Sequence, residues 1–307
     1  MSGRITVLTG GVGGAKLVLG LTQVASPDSI TAIVNTGDDF RHLGLAISPD
    51  IDTLLYTLAG KANVVQGWGR EGETWSFMES LRSLGGEGWF LLGDGDLALH
   101  VERSHLLANG ASLSAVTDRF ARAWGVGVAM LPMSDGAIGT HLDTDEGDLP
   151  FQRYFVERRC EPAVRAIRFE GAETARPTPG VLDAITGADV VLVAPSNPYL
   201  SVDPILAMPG IREALAATRA PVVAVSPLVD GKAVKGPTAK LMGELGLEVT
   251  TATIAAHYAP WLDAMLIDER DRTTDLPIPS ASADTLMNTL EDKARVARAA
   301  LALARSL

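Results

Sequence analysis

Short apolar runs, each closed by Gly, Pro, Ser or Asp, recur along the chain. The clearest are Ile30–Val34, Val126–Leu131, Val190–Ala194 and Val222–Val225, while 247–254 and 265–268 repeat the pattern less cleanly. An earlier segment carries Ile5, Val7 and Leu8. Runs without polar alternation are what strands covered on both faces look like. Between them lie stretches with helical spacing, such as Leu17, Val18 and Leu21. Strand and helix in alternation predict an α/β fold, a doubly wound, mainly parallel sheet of the Rossmann-like three-layer kind. From about 50 to 124 the spacing is helical, with Leu54, Leu55 and Leu58 on one face and Trp75, Met78 and Leu81 on another. Further helices are expected over 97–107 and from Ser112 onward. This reads as a helical insertion beside the sheet. Residues 141–171 mix polar turns with short alternating runs and predict a small β-containing excursion. An Ala/Leu/Arg-rich helix over 283–307 reads as a packing or dimer element.

Five of the expected strand ends carry small polar, Gly or Pro residues, and in a doubly wound sheet such ends share one ligand cleft. The first is the most informative. Gly10, Gly11, Gly13 and Gly14 lie between the first strand and its helix, followed by Lys16. Glycines let backbone approach a ligand without a Cβ in the way, and free N–H groups at a helix start attract phosphate. The competing reading is a tight turn that binds nothing. A Walker loop needs Gly-Lys-Ser/Thr, but Ala15-Lys16-Leu17 offers no hydroxyl for a metal. Counted from Gly11, the last glycine of the dinucleotide fingerprint falls on Lys16. Metal ligands must therefore come from elsewhere.

Asp38, Asp39, Asp50 and Asp52 supply four carboxylates within fifteen positions. Magnesium is commonly held by one or two carboxylates together with substrate phosphates. Asp38 and Asp50 are the expected metal ligands, although Asp50 serves equally well as a helix cap. A third acidic cluster, Gly93-Asp94-Gly95-Asp96, could cap a helix or hold a substrate hydroxyl. Ser196 and Asn197, in a Pro-bounded turn, suit a nucleotide, or else Asn197 simply forms an Asx-turn. The histidines at 42, 100, 105, 141 and 257 show no zinc-ligand spacing and read as core or surface residues.

Composition narrows the choice. The chain has 307 residues, 47% of them hydrophobic and 21% charged, enough for a substantial core. With no repeat or low-complexity linker, 1–307 reads as a single α/β catalytic domain. A formal net charge of −11 argues against a nucleic-acid or anionic-membrane footprint. The single Cys160 excludes an internal disulfide and fits a cytoplasmic location. No signal-peptide pattern or membrane-length apolar run is present.

Taken together, TGGVGGAKL at 9–17, NTGDD at 35–39, SPDIDTLLY at 48–56, GDGDLALH at 93–100, LPMSD at 131–135, FQRYFV at 151–156, the PSNP segment from 195 and AVSPLVDGKAVKGPTAKLM at 224–242 resemble the CofD/FbiA family. These are the 2-phospho-L-lactate transferases of coenzyme F-420 biosynthesis. The resemblance implies a guanosine diphospho donor carrying lactate or a related three-carbon acid. The ribityl hydroxyl of an 8-hydroxy-5-deazaflavin precursor would attack its terminal phosphate and release GMP. It implies catalytic roles for Asp38 and Asp52, with Asp52 and Leu91 at the deazaflavin precursor, magnesium as cofactor and a homodimer. Leu91 and Gly95 stand where the family tends to carry cations, and Arg70 or Lys235 is available as a substitute. Two other classes remain open: a nicotinamide-dependent Rossmann enzyme with Asp38 on a ribose, and a CofD-like regulatory protein that binds nucleotide sugars.

Overall fold

A computed structural model describes residues 3–271 and 276–307. Its centre is a sheet of seven strands: β1 (Ile5–Thr9), β2 (Ile30–Val34), β3 (Ala129–Pro132), β4 (Val190–Val193), β5 (Val222–Val225), β6 (Ala264–Asp268) and β7 (Ser280–Ala283). The strands lie in the order β3-β2-β1-β4-β5-β6-β7, and every neighbouring pair is parallel. The order reverses at β1, which pairs with β2 on one side and β4 on the other, so Ile5 faces both Ile30 and Val190. A doubly wound sheet opens its ligand crevice at that switch point. The expected α/β three-layer fold is thus observed.

Helices cover both faces. On one, Leu17, Val18 and Leu21 of the Gly11–Leu21 helix share a core with Val296, Ala297 and Leu301 of the Leu290–Arg305 helix. On the other, Leu8 and Ile33 pack with Val181, Ile205, Leu215 and Ile254. The helical stretch contains Pro49–Leu58, Ser76–Ser83, Asp94–Ala108 and Leu113–Ala123. The excursion is an antiparallel sheet of Gly139–Thr144, Gly147–Pro150 and Val164–Glu170. Among the described residues, no helix is long and apolar enough to cross a membrane.

Two expectations need correction, and one strand escaped the sequence pattern. Residues 247–254 form no strand: the Thr250 hydroxyl accepts from the Thr253 N–H at 3.1 Å and starts the Thr251–Tyr258 helix. The Ser280–Ala283 strand lies inside no apolar run, because an edge strand of alternating Ser and Ala needs no large side chains. The C-terminal helix begins at Leu290 rather than 283, set by a capping box between Thr289 and Asp292. That helix is a packing element within the chain.

Gly20 marks the closest approach of the first helix to the last. A Cβ there would collide with the carbonyl oxygen of Lys293, which is backbone and cannot swing away. Gly20→Ala should therefore lower stability by about 1–3 kcal/mol, the usual cost of overpacking. Thermal and denaturant unfolding measure it, and an unchanged midpoint would show that the helix pair parts without cost.

Candidate active site

Strand ends β1, β2, β4 and β5 converge on one cavity of about 700 Å³, within the ~300–1,000 Å³ typical of small-molecule sites. Its floor is built around Asp50, in the first turn of the Pro49–Leu58 helix. The Asp50 Oδ1 accepts from the Gly11 N–H at 2.8 Å, and Oδ2 accepts from the Asn35 side-chain amide at 3.0 Å. Asn35 in turn receives the Gly37 N–H at 2.8 Å, which fixes the turn that carries Asp38. Asp50 does cap a helix, but the glycine-loop helix rather than its own.

The glycines have packing reasons of their own. A Cβ on Gly10 would approach Asp50 Oδ2 to 2.6 Å, and one on Gly13 or Gly14 would strike Pro195 or Thr9 and Ser196. Gly11 alone has a positive φ, +64°, which is readily adopted only without a side chain. The Gly10 N–H donates to the Ser196 hydroxyl at 3.2 Å, and that hydroxyl donates back to the Gly10 carbonyl at 2.8 Å. Ser196 and Gly10 therefore clasp β1 to β4, and neither is free for phosphate. The Gly11 N–H is held by Asp50. What remains for an anion is the rest of the first helical turn, Val12 and Gly13, whose N–H groups have no intrahelical acceptor, together with Lys16. Burial and the charges of Lys235 and Lys293 push the Lys16 ammonium below its ordinary value.

Asn197 resolves in the same divided way. Its side-chain oxygen accepts from the Tyr199 and Leu200 N–H groups at 3.0 and 3.2 Å, so the Asx-turn is real. Its amide nitrogen is buried, has no partner and belongs to a residue lining the cavity. Asn197 can only donate to a ligand.

Asp38 is buried, and its Oδ1 has no hydrogen-bond partner. Burial and the neighbouring charge of Asp50 raise its carboxyl well above the ordinary value. Burial also raises Asp50, to about 6. Two carboxylates short of a counter-charge, beside an anion-binding helix start, suit a hard cation that shares its other ligands with water and phosphate. Among the described residues no set of three or more His, Cys, Asp or Glu side chains is grouped to hold a metal.

Asp52 lies two residues further along the first turn of the same helix, and its two oxygens face the fully buried Arg103 guanidinium, one at 3.1 Å. His100 Nδ1 lies 3.7 Å from Asp52, and its Nε2 lies 3.0 Å from Asp96. The Tyr56 hydroxyl donates to Asp96. Sequence reading missed Tyr56, Asp96, His100 and Arg103 as one assembly. The signal was there as helical spacing: Asp52 and Tyr56 four apart, Asp96, His100 and Arg103 at i, i+4 and i+7. Asp94, by contrast, accepts from the Ser76 and Phe77 N–H groups and caps the preceding helix.

Another part of the lining is apolar and largely aromatic. Trp89, Phe90, Leu91, Phe151 and Phe155 line the cavity, with Phe151 and Phe155 stacked at 5.2 Å and Arg153 lying 4.3 Å over the Trp89 ring. Cys160 lies outside this lining; burial pushes its thiol up to about 11, which makes it a poor nucleophile.

Asp38 and Asp50 carry raised values in the folded protein, so between the unfolded value near 3.8 and about 6 the fold binds more protons than the unfolded chain. Stability contributed by this pair falls as pH rises through that window. Asp38→Asn should then raise the melting temperature at pH 7.5, on the order of a few degrees, with the gain shrinking toward pH 4. Equal melting temperatures at pH 7.5 would show that its charge is already compensated.

Known proteins match this chain along nearly its whole length. Phosphoenolpyruvate transferases of Kitasatospora aureofaciens and Streptomyces griseus are 45% and 44% identical, each across 99% of this chain and 98% and 99% of their own length. That of Mycobacterium marinum is 40% identical over 98% of both chains. A solved structure of a UPF0052 family protein from Bacillus halodurans matches in fold, with a TM-score of 0.64 and 19% identity over 98% of this chain. The family described as 2-phospho-L-lactate transferase CofD matches residues 5–300, and the chain belongs to that transferase family of coenzyme F-420 biosynthesis.

Proposed function

We propose that this transferase moves a phosphoenolpyruvyl group from a guanosine diphospho donor to the ribityl hydroxyl of an 8-hydroxy-5-deazaflavin precursor, with release of GMP. The observation that carries the reading is that one cavity carries two kinds of lining. Val12, Gly13, Lys16 and Asn197 suit a diphosphate, and Trp89, Phe90, Phe151 and Phe155 suit a flat ring. The choice of acid rests on the relatives, which are phosphoenolpyruvate transferases. Phospholactyl and phosphoglyceryl donors are the competing acids.

In this reading the ribityl oxygen attacks the terminal phosphorus, the bond to the GMP oxygen breaks, and a phosphodiester forms. GMP is already a good leaving group, so the site needs position and charge neutralisation more than a strong acid. Asp38 and Asp50 would hold magnesium, whose charge neutralises the phosphate oxygens as that bond breaks. Asp52 is fastened to Arg103 and is a positioning residue beside the acceptor. Asp96, backed by His100 and Tyr56, is the carboxylate assigned to hold the attacking hydroxyl.

Turnover should stop on exhaustive chelation and return with magnesium, and Asp38→Asn should lose about a hundredfold or more in rate. Full turnover in chelator would remove the metal from the scheme. Asp52→Asn should raise KM for the acceptor and leave guanosine nucleotide affinity little changed, as titration of each ligand into the variant can show. Supplied with the three donors in competition, the enzyme should give phosphoenolpyruvyl product as the dominant mass. A dominant phospholactyl product would reassign the donor.

A further inference from the structure

Gly95 opens the Asp94–Ala108 helix, yet its place beside the cavity is not empty. The Arg70 guanidinium fills the space where a Cβ would stand. Arg70 is carried by a braced loop: it bridges to Ala62 across an antiparallel pair, and the Glu71 N–H donates to the Lys61 carbonyl at 2.7 Å. Glu73 secures the arrangement from both sides. Its Oε1 pairs with Arg70 Nη1 at 3.2 Å, and its Oε2 accepts from the Gly95 N–H at 2.6 Å.

This cation borders a side recess of about 20 Å³ walled by Trp68, Trp75, Leu91, Gly93 and Asp96. Trp68, Leu91 and Asp96 also line the main cavity, so the recess adjoins it. A volume of that size holds about one or two waters, which admits a carboxylate and excludes a nucleobase or a deazaflavin ring. We propose that Arg70, admitted by Gly95, binds the carboxylate of the donor's three-carbon acid; this rests on the transferase reading above.

Two carboxylates already border the recess, so charge must be weighed. Asp96 is held by His100 and Tyr56, and Glu73 takes one nitrogen of Arg70 while capping Gly95. Glu73 is the only hydrogen-bond partner of Arg70 among the described residues, which leaves N–H donors for a second carboxylate. The chain uses such sharing elsewhere: Arg270 pairs with Asp268 and Asp284, and Arg295 with Asp284 and Asp292. Guanidinium–carboxylate pairs are planar and directional, which suits discrimination among acids differing at the next carbon.

The geometry supplies two independent variants. Arg70→Gln removes the cation, and Gly95→Ala evicts it while leaving it in the sequence. Both should raise KM for the phosphoenolpyruvyl guanosine donor roughly 10- to 100-fold, the range for losing a hydrogen bond to a charged group. The calorimetric Kd for guanosine diphosphate, which lacks the acid, and the KM for the acceptor should stay within about twofold, and Arg70→Lys should recover part of the loss. An unchanged donor KM in folded variants would overturn the inference, as would an equal loss in guanosine diphosphate affinity or a loss confined to the acceptor. Wild-type enzyme that turns over no guanosine-linked acid would instead overturn the transferase reading, and this inference with it.

Discussion

The Asp50 carboxylate binds together three segments that the chain would otherwise leave apart. It holds the start of the glycine-loop helix through Gly11, the end of β2 through Asn35, and its own helix through its backbone. A negative group at a helix N-terminus is favourable, but it also stands where a phosphate would bind. The conflict between a resident carboxylate and an arriving anion is settled by protonation or by a cation between them. Burial, with the two carboxylates close together, raises both Asp50 and Asp38. In the proposed reading, anion and cation would therefore share one site.

Sheet topology makes this convergence possible. Reversal of strand order at β1 leaves the ends of β1 and β4 side by side with no helix between them, and the Ser196–Gly10 clasp spans the gap. Three of the loop glycines permit the clasp: a Cβ on Gly10, Gly13 or Gly14 would run into Asp50, Pro195 or Ser196. A glycine-rich loop here is first a joint between strands, and the anion receives what the joint leaves over.

The sheet was legible because buried parallel strands must be apolar on both faces, as Val222–Val225 is at every position. Ser280–Ala283 was not, since at an edge the backbone ladder suffices and small residues serve. The loop side of the site was legible in the clustered Gly, Asp and Asn residues, though not which atoms were already engaged. Ser196 and Asn197 look alike in sequence, yet one has its hydroxyl occupied by Gly10 and the other keeps a bare amide nitrogen. The Arg103 assembly was hidden because a buried Arg reads as a surface residue until its partner, 51 positions away, is known. Arg70 was nameable as a spare cation, but only three-dimensional overlap with Gly95 gives it a place.

The packing of the Gly11–Leu21 helix beneath the Leu290–Arg305 helix also sets an order of events in folding. Leu17, Val18 and Leu21 have their cover in Val296, Ala297 and Leu301, and the intervening sheet is parallel throughout. Contacts so distant in sequence are slow to form. The Pro49–Leu58 helix gives the Gly11–Leu21 helix part of its cover, since Ile51, Leu54 and Leu55 share the same core, and residues 290–305 supply the rest. The glycine-loop side of the cavity therefore reaches its final packing only when segments from far apart in the sequence have met, so its walls depend on the last of these contacts to form.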